Sequence, residues 1–262
     1  MRAAKSATWI VSGALAFASA MAMAETGTAA SQEAIIDAIA SPDRPQADRE
    51  QDPRRKPEAI LGFLAVGPGM HVIDVLAAGG YYSELLARVV GEKGEVIAYN
   101  NPPYAKFAEK GIATRYAGDR LPNVRQVTST IEDLQLAPAS LDAALFVMSY
   151  HDLYWRPADG SWPATDPAML LRRLAAALKP GAVVVVQDHV ANPGGEPAQI
   201  VDALHRIDPA LVKRDFEQAG FVFDGQSEVL AHPGDDHSKL VFDESIRGRT
   251  DQFVLRFRKP QE

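Results

Sequence analysis

Apolar residues in this chain gather in short continuous runs separated by stretches with helical spacing. The runs fall at Val72–Val75, Glu95–Tyr99, Val124–Thr128, Leu141–Met148, Ala182–Gln187, Phe221–Leu230 and Gln252–Arg258. Apolar positions three and four apart predict helices over Tyr82–Val90, Tyr104–Ala113, Pro167–Leu178 and Pro197–Gln218, with one more ahead of the first strand at Pro57–Val66. In Pro57–Val66 the shared face carries Ile60, Leu61 and Leu64. In Pro167–Leu178 it carries Leu170, Leu171, Leu174 and Leu178, and Asp166 is placed to cap that helix. The first five runs are nearly continuous in apolar residues, as strands become when helices cover both sheet faces. Strands alternating with helices build crossover units, and crossover units build a parallel sheet. The expected fold is therefore α/β, with seven mostly parallel strands and helices on both faces.

The stretch from Val72 to Ala87, VIDVLAAGGYYSELLA, is the sharpest local signal. It reads as a buried strand ending near an acid, Asp74, then a loop of small residues, then an amphipathic helix. Small residues let backbone approach a ligand, and a helix start offers free N–H groups. Leu76 and Ala78 stand where such loops favour glycine, while Gly79 and Gly80 keep its final turn.

The opening residues have a different character. Arg2 and Lys5 precede an apolar run from Trp9 to about Ala20, and Ala22-Met23-Ala24 supplies the small-residue cleavage pattern of a secretory signal. Residues 1–24 are thus expected to be a signal peptide, residues 25–56 a polar lead-in and residues 57–260 the folded domain. That implies export to the periplasm, with no stable membrane insertion once the signal is cleaved. Cleavage would remove two cations and no acid, taking the net charge from −7 to −9. An acidic chain lacks the clustered basic surface of a nucleic-acid binder. Arg49, Arg54, Arg55 and Lys56 are interleaved with Asp43, Asp48, Glu50 and Asp52, which predicts a solvated, salt-bridged segment. There is no cysteine, so stability in an oxidising compartment rests on the core alone.

With these features in place, the chain resembles the class I S-adenosylmethionine-dependent methyltransferases, Rossmann-like in architecture. The resemblance rests on seven strands with this helix spacing, the acid in strand one, and Lys179-Pro180-Gly181 before strand five. More narrowly it is similar to exported proteins of that family. The residues that carry this are the lead-in ADREQDPRRKPEAILGFL, GGYYSELLA, the Tyr150-His151-Asp152 triplet after strand four, and HRIDPALVKRDFEQAGF. The resemblance implies S-adenosyl-L-methionine as cofactor, held at Asp74, Ala78, Gly79, Gly80 and Tyr81. It places Asn100 at the end of strand two, where relatives carry an acid for the ribose hydroxyls. Thr130 and Glu132 follow strand three on the adenine side, and Tyr150 follows strand four.

Candidate chemistry gathers after strands four and five, where open α/β sheets place their ligands. His151 is expected to act as a general base, because an unperturbed imidazole titrates near neutral pH, with Asp152 beside it. Tyr154 is expected to line a substrate pocket. Asp188-His189 closes strand five on the same rim, and with Asp152 it forms a weaker alternative, a divalent metal site. His205 lies on the predicted 197–218 helix, where it is placed to cover the pocket. Gly234–His237 is expected to be a solvated surface run.

The expected activity is methyl transfer to a small molecule or cell-envelope component. A non-catalytic binding protein of the same fold is the alternative. A nicotinamide oxidoreductase fits less well, since the loop lacks G-x-G-x-x-G spacing and no acid closes strand two.

Overall fold

A computed structural model describes residues 29–261. The signal-peptide expectation lies outside the described residues. A helix over residues 29–40 (α1) leads into two single-turn helices, α2 (Gln46–Arg49) and α3 (Asp52–Arg55), and then α4 (Pro57–Leu64). Strands and helices then alternate: β1 (His71–Val75), α5 (Tyr81–Val90), β2 (Glu95–Asn100), α6 (Pro102–Phe107), α7 (Glu109–Arg115), β3 (Val124–Thr128) and β4 (Leu141–Val147). The remainder is α8 (Pro167–Ala177), β5 (Leu178–His189), α9 (Pro197–Leu204), α10 (Pro209–Gln218), β6 (Val222–Ser227) and β7 (Gln252–Arg258).

These strands form one seven-stranded sheet in the order β3-β2-β1-β4-β5-β7-β6. The first five run parallel, and β7 pairs antiparallel with both β5 and β6. Strand periodicity divides the core into two layers. Ile73, Val75, Ala144, Phe146, Val184 and Val186 join α8 and α10 on one face. Val72, Ala143, Leu145, Val183 and Val185 join α1, α4 and α5 on the other. Asp74 follows the parity of Val72, which puts its carboxylate beneath the start of α5.

Several elements differ from the sequence reading, each for a local reason. β3 is an edge strand and is largely solvent-facing, because Arg125 and Gln126 interrupt its apolar run. Lys179-Pro180-Gly181 is not a separate turn; β5 absorbs it where the register with β4 shifts. The predicted helix over 197–218 breaks at His205, whose φ is 49°, and restarts where Asp208 caps Ala210 N–H ahead of Pro209. Tyr104–Ala113 likewise divides into α6 and α7, with Asn101 capping Tyr104 N–H. The last hairpin shortens from Phe221–Leu230 to Val222–Ser227.

The lead-in is not the solvated segment its charge alternation suggested. Arg44 is only 2% exposed, and its guanidinium grips both Asp52 carboxylate oxygens at 2.7 Å. Tyr81 donates its hydroxyl to Asp52 at 2.5 Å, and Tyr82 donates to the Arg55 carbonyl. Behind this seam Glu84 is 1% exposed and accepts from Arg88, Arg115 and Arg120, while Arg115 also reaches Asp48 at 2.8 Å. One carboxylate therefore ties α5, α7 and the lead-in together. Removing the charge leaves three cations facing a neutral amide. Glu84→Gln should destabilise the fold by about 3 kcal/mol or more, as broken buried ion pairs do. Urea denaturation checks this, with Glu95→Gln, in an exposed pair with Arg125, as the control that should stay within about 1 kcal/mol.

Candidate functional site

The site begins with the turn after β1. Leu76 and Ala78 adopt left-handed backbone, φ 55° and 48°, and Gly80 does so at φ 80°. A side chain in this region costs roughly 1–2 kcal/mol, so the loop keeps a glycine-type path without the glycines. Its neighbours hold it there. Ala77 N–H donates to the Tyr99 carbonyl, Ala78 N–H donates to Asn100 Oδ1 at 2.8 Å, and Asn100 Nδ2 donates back to the Ala78 carbonyl at 3.2 Å. Gly80 is closely enclosed: at φ 80° a Cβ would sit 2.4 Å from the Tyr116 hydroxyl and 2.9 Å from Arg115 Cδ, so a side chain there would displace both.

This contact corrects the reading of Asn100. Its amide bonds both polar groups of Ala78 and splints the loop, and it does not line the cleft onto which that loop opens. The pairing also explains why an amide replaces an acid. A carboxylate would accept from Ala78 N–H but would repel the Ala78 carbonyl.

The loop opens onto a cleft of about 310 Å³, within the lower range of small-molecule sites. Asp74, Ala78, Gly79, Gly80 and Tyr81 all line it, and Tyr104, Val147 and Met148 close the far side. Asp48, Gln51 and Arg55 of the lead-in form the remaining wall, and the Arg55 guanidinium lies 4.4 Å over the Tyr81 ring. Asp74 is buried and accepts the Ser83 hydroxyl at 2.6 Å. Burial outweighs that bond and pushes its pKa up to about 6.

Other expected cofactor residues lie elsewhere. Thr130 bonds Asp133, Glu132 is exposed, and neither lines the cleft. Tyr150 belongs to the core: its ring packs on Phe146 and Phe216, and its hydroxyl donates to Asp215 at 2.8 Å. Tyr154 donates to the same carboxylate.

Next to the cleft, the strand-four and strand-five ends meet at His151. Its Nδ1 lies 2.8 Å from Asp188 Oδ1, its backbone N–H donates to Asp188 Oδ2 at 2.9 Å, and its Nε2 lies 3.4 Å from Asp152 Oδ1. All three residues are buried. Burial alone would lower the imidazole pKa, but the two carboxylates override it and raise it to about 9. Each ring nitrogen of His151 thus faces a carboxylate, which ties the ring to Asp152 and Asp188. Tyr104, which lines the cleft, packs edge-on to Trp162 at 5.4 Å, and the Trp162 indole N–H donates to the Asp152 carbonyl, linking this cluster to the cleft wall.

The weaker metal alternative is corrected as well. Asp188 is committed to His151, and His189 turns away to Thr250 at 2.9 Å. His205 comes in instead, its ring 5.5 Å from His151 and 5.1 Å from both Trp155 and Phe242. The Gly234–His237 run is not simply solvated, since Asp235 pairs with the fully buried Arg206 at 2.9 Å.

Trp162, Arg55, Asp48 and Arg115 are the residues that sequence reasoning passed over. The signal available for the lead-in was its Arg/Asp alternation next to a helix start, a pattern equally suited to a buried clamp.

No family model matches the chain. Over 129 residues it is 30% identical to tRNA (adenine(58)-N(1))-methyltransferase TrmI of Thermus thermophilus, a match covering 48% of this chain and 43% of that protein. The matched region thus spans less than half of the curated relative. A SAM-dependent methyltransferase from Aquifex aeolicus superposes with a TM-score of 0.57 at 21% identity, over 81% of this chain and 95% of that one. The fold is that of the class I methyltransferases. Phosphoethanolamine N-methyltransferase 2 of Haemonchus contortus, in complex with S-adenosyl-L-methionine, superposes at 0.55 with 14% identity, over 78% of this chain and 52% of that one.

Asp74 gives a pH test with a definite sign. A carboxyl whose pKa is higher folded than unfolded binds an extra proton in the native state between about pH 4 and 6. Stability therefore falls as pH rises through that window and levels off above it, by about 3 kcal/mol for two pH units. Asp74→Asn should abolish this loss, so its stability relative to the wild type should be about 2 kcal/mol more favourable at pH 7.5 than at pH 4.5. Urea midpoints of both proteins at the two pH values check it, and an equal difference at both would refute the assignment.

Proposed function

We propose that this chain is an S-adenosyl-L-methionine-dependent methyltransferase of the exported group, acting on a small-molecule acceptor. The observation that carries the reading is the left-handed β1 loop over Asp74, opening onto a cleft that ends beside His151 and Asp152. The methyltransferase relative and the fold support it. Asp74, Gly79, Gly80 and Tyr81 are the residues to hold the donor, with Arg55 and Asp48 of the lead-in over it. Asp48 and Asp74 on one hand and Arg55 and Arg115 on the other give the cleft both signs of charge, as a ligand with an ammonium and a carboxylate requires.

The reaction asks little acid–base work of the protein. A lone pair on the acceptor forms the bond to the methyl carbon, the carbon–sulfur bond breaks, and its electron pair stays on sulfur. Alignment of the two reactants supplies most of the acceleration. His151 positions the cleft end: the Asp188 carboxylate fixes its ring, and the ring in turn faces Asp152.

The relative is named for a tRNA substrate. The acidic balance of this chain, and the pairing of Arg44 and Arg115 with carboxylates, favour a small acceptor over RNA. None of the described helices is long and apolar enough to cross a membrane.

Isothermal titration with the donor and with S-adenosyl-homocysteine tests the reading. We expect one molecule per chain with micromolar affinity, weakened at least tenfold in Gly80→Ala, whose Cβ would collide with Tyr116. Absence of heat at millimolar ligand, with folded protein, would overturn it. Export is tested separately by fusing residues 1–40 to alkaline phosphatase, which is active only outside the cytoplasm. Activity is expected, and an inactive full-length fusion would return the protein to the cytoplasm.

A further inference from the structure

We infer that His151, Asp152 and His205 form a binding site for a divalent transition metal of zinc type, built beside the proposed donor cleft. The inference extends the methyltransferase reading but stands on its own geometry. One nitrogen from each histidine and one Asp152 oxygen lie within 4.8 Å of one another. The His151 Nε2 to Asp152 Oδ1 separation is 3.4 Å. That is about the edge of a tetrahedron whose centre sits about 2.1 Å from each ligand, the usual zinc–nitrogen distance. Two imidazoles and one carboxylate are a donor set for zinc, iron or cobalt rather than for calcium or magnesium, which take oxygen.

The surroundings are those of a built site. Asp188 holds His151 Nδ1 at 2.8 Å and so turns Nε2 toward Asp152. A carboxylate behind a histidine is the usual support of a metal-ligating imidazole, fixing its tautomer and orientation. Asp188 is fully buried and also accepts His151 N–H and His189 N–H, so it is rigid. His205 arrives as the left-handed cap that ends α9, φ 49°, and that turn directs its ring toward His151. Trp155 and Phe242 flank its ring and provide an apolar shell. Trp162 donates to the Asp152 backbone carbonyl at 2.9 Å.

The third ligand comes from the α9 end and not from β5, which separates this arrangement from one using the two strand-end acids. Three protein ligands leave a coordination position for another molecule. An ion there would lower the pKa of an acceptor hydroxyl or thiol and place its oxygen or sulfur near the cleft. The substrate class implied is therefore a small molecule that presents a hydroxyl or thiol for methylation.

The test uses the full chain stripped with a chelator and titrated with Co²⁺, followed by visible absorption, then with Zn²⁺ in competition. We expect one Co²⁺ per chain with the intense absorption of a low-coordinate site, displaced by Zn²⁺. His205→Asn tolerates the left-handed backbone and removes the ring, so it should fold and weaken binding at least tenfold. Asp188→Asn should weaken it about 10–100-fold while leaving the stoichiometry at one. Wild type and His205→Asn binding Co²⁺ equally, or no stoichiometric binding by folded wild type, would overturn the inference. Titrating the metal-free protein with S-adenosyl-homocysteine separates the two readings. Binding of that ligand without metal binding removes only this site, and metal binding without it removes only the methyltransferase proposal.

Discussion

The backbone of residues 76–80 is the constraint on which the rest of this structure depends. It turns the chain from β1 into α5 through three left-handed residues, two of them carrying side chains. That path is unfavourable by itself, and the molecule surrounds it with partners. Asn100 takes both polar groups of Ala78 from the side of β2, and Arg115 bonds the Gly79 carbonyl from α7. Tyr116 packs where a Gly80 side chain would stand. A cradle normally shaped by glycine is here shaped by its neighbours.

A second fixed point, His151, organises the opposite end of the cleft. It sits between Asp152 on its own segment and Asp188 at the end of β5, so two neighbouring strands are locked at the rim by one ring. Tyr104 lines the cleft and packs on Trp162, whose indole N–H donates to the Asp152 carbonyl, so the cluster and the cleft share one wall.

How far the sequence foretold this varies with the kind of signal. The five parallel strands were legible because Val, Ile and Leu runs bounded by helices leave few alternatives. Asp74, Gly79 and Gly80 were legible because acid and small residues fall at a strand end. Side-chain direction was not. Tyr150 and His151 are adjacent, yet one enters the core against Phe216 and the other faces Asp188. The lead-in was misread because alternating Arg and Asp describes a surface and a buried clamp equally well. Only tertiary contact, with Arg44 gripping Asp52 and Tyr81 capping the pair, decides between them. His205 was singled out on a continuous helix, whereas the break at its own backbone is what brings its ring to His151.

The lead-in clamp has a consequence for the order of events in the molecule. One wall of the cleft is contributed by residues that precede the whole sheet in sequence, and its fastenings, Tyr81 to Asp52 and Arg115 to Asp48, span a long stretch of chain. Those contacts close only after β1, α5 and α7 have assembled. The cavity wall therefore depends on contacts between parts of the chain that are far apart in sequence. A ligand that touches Asp48 or Arg55 would thus bear on the clamp that fastens the lead-in to the sheet, which couples occupancy of the cavity to the stability of that segment.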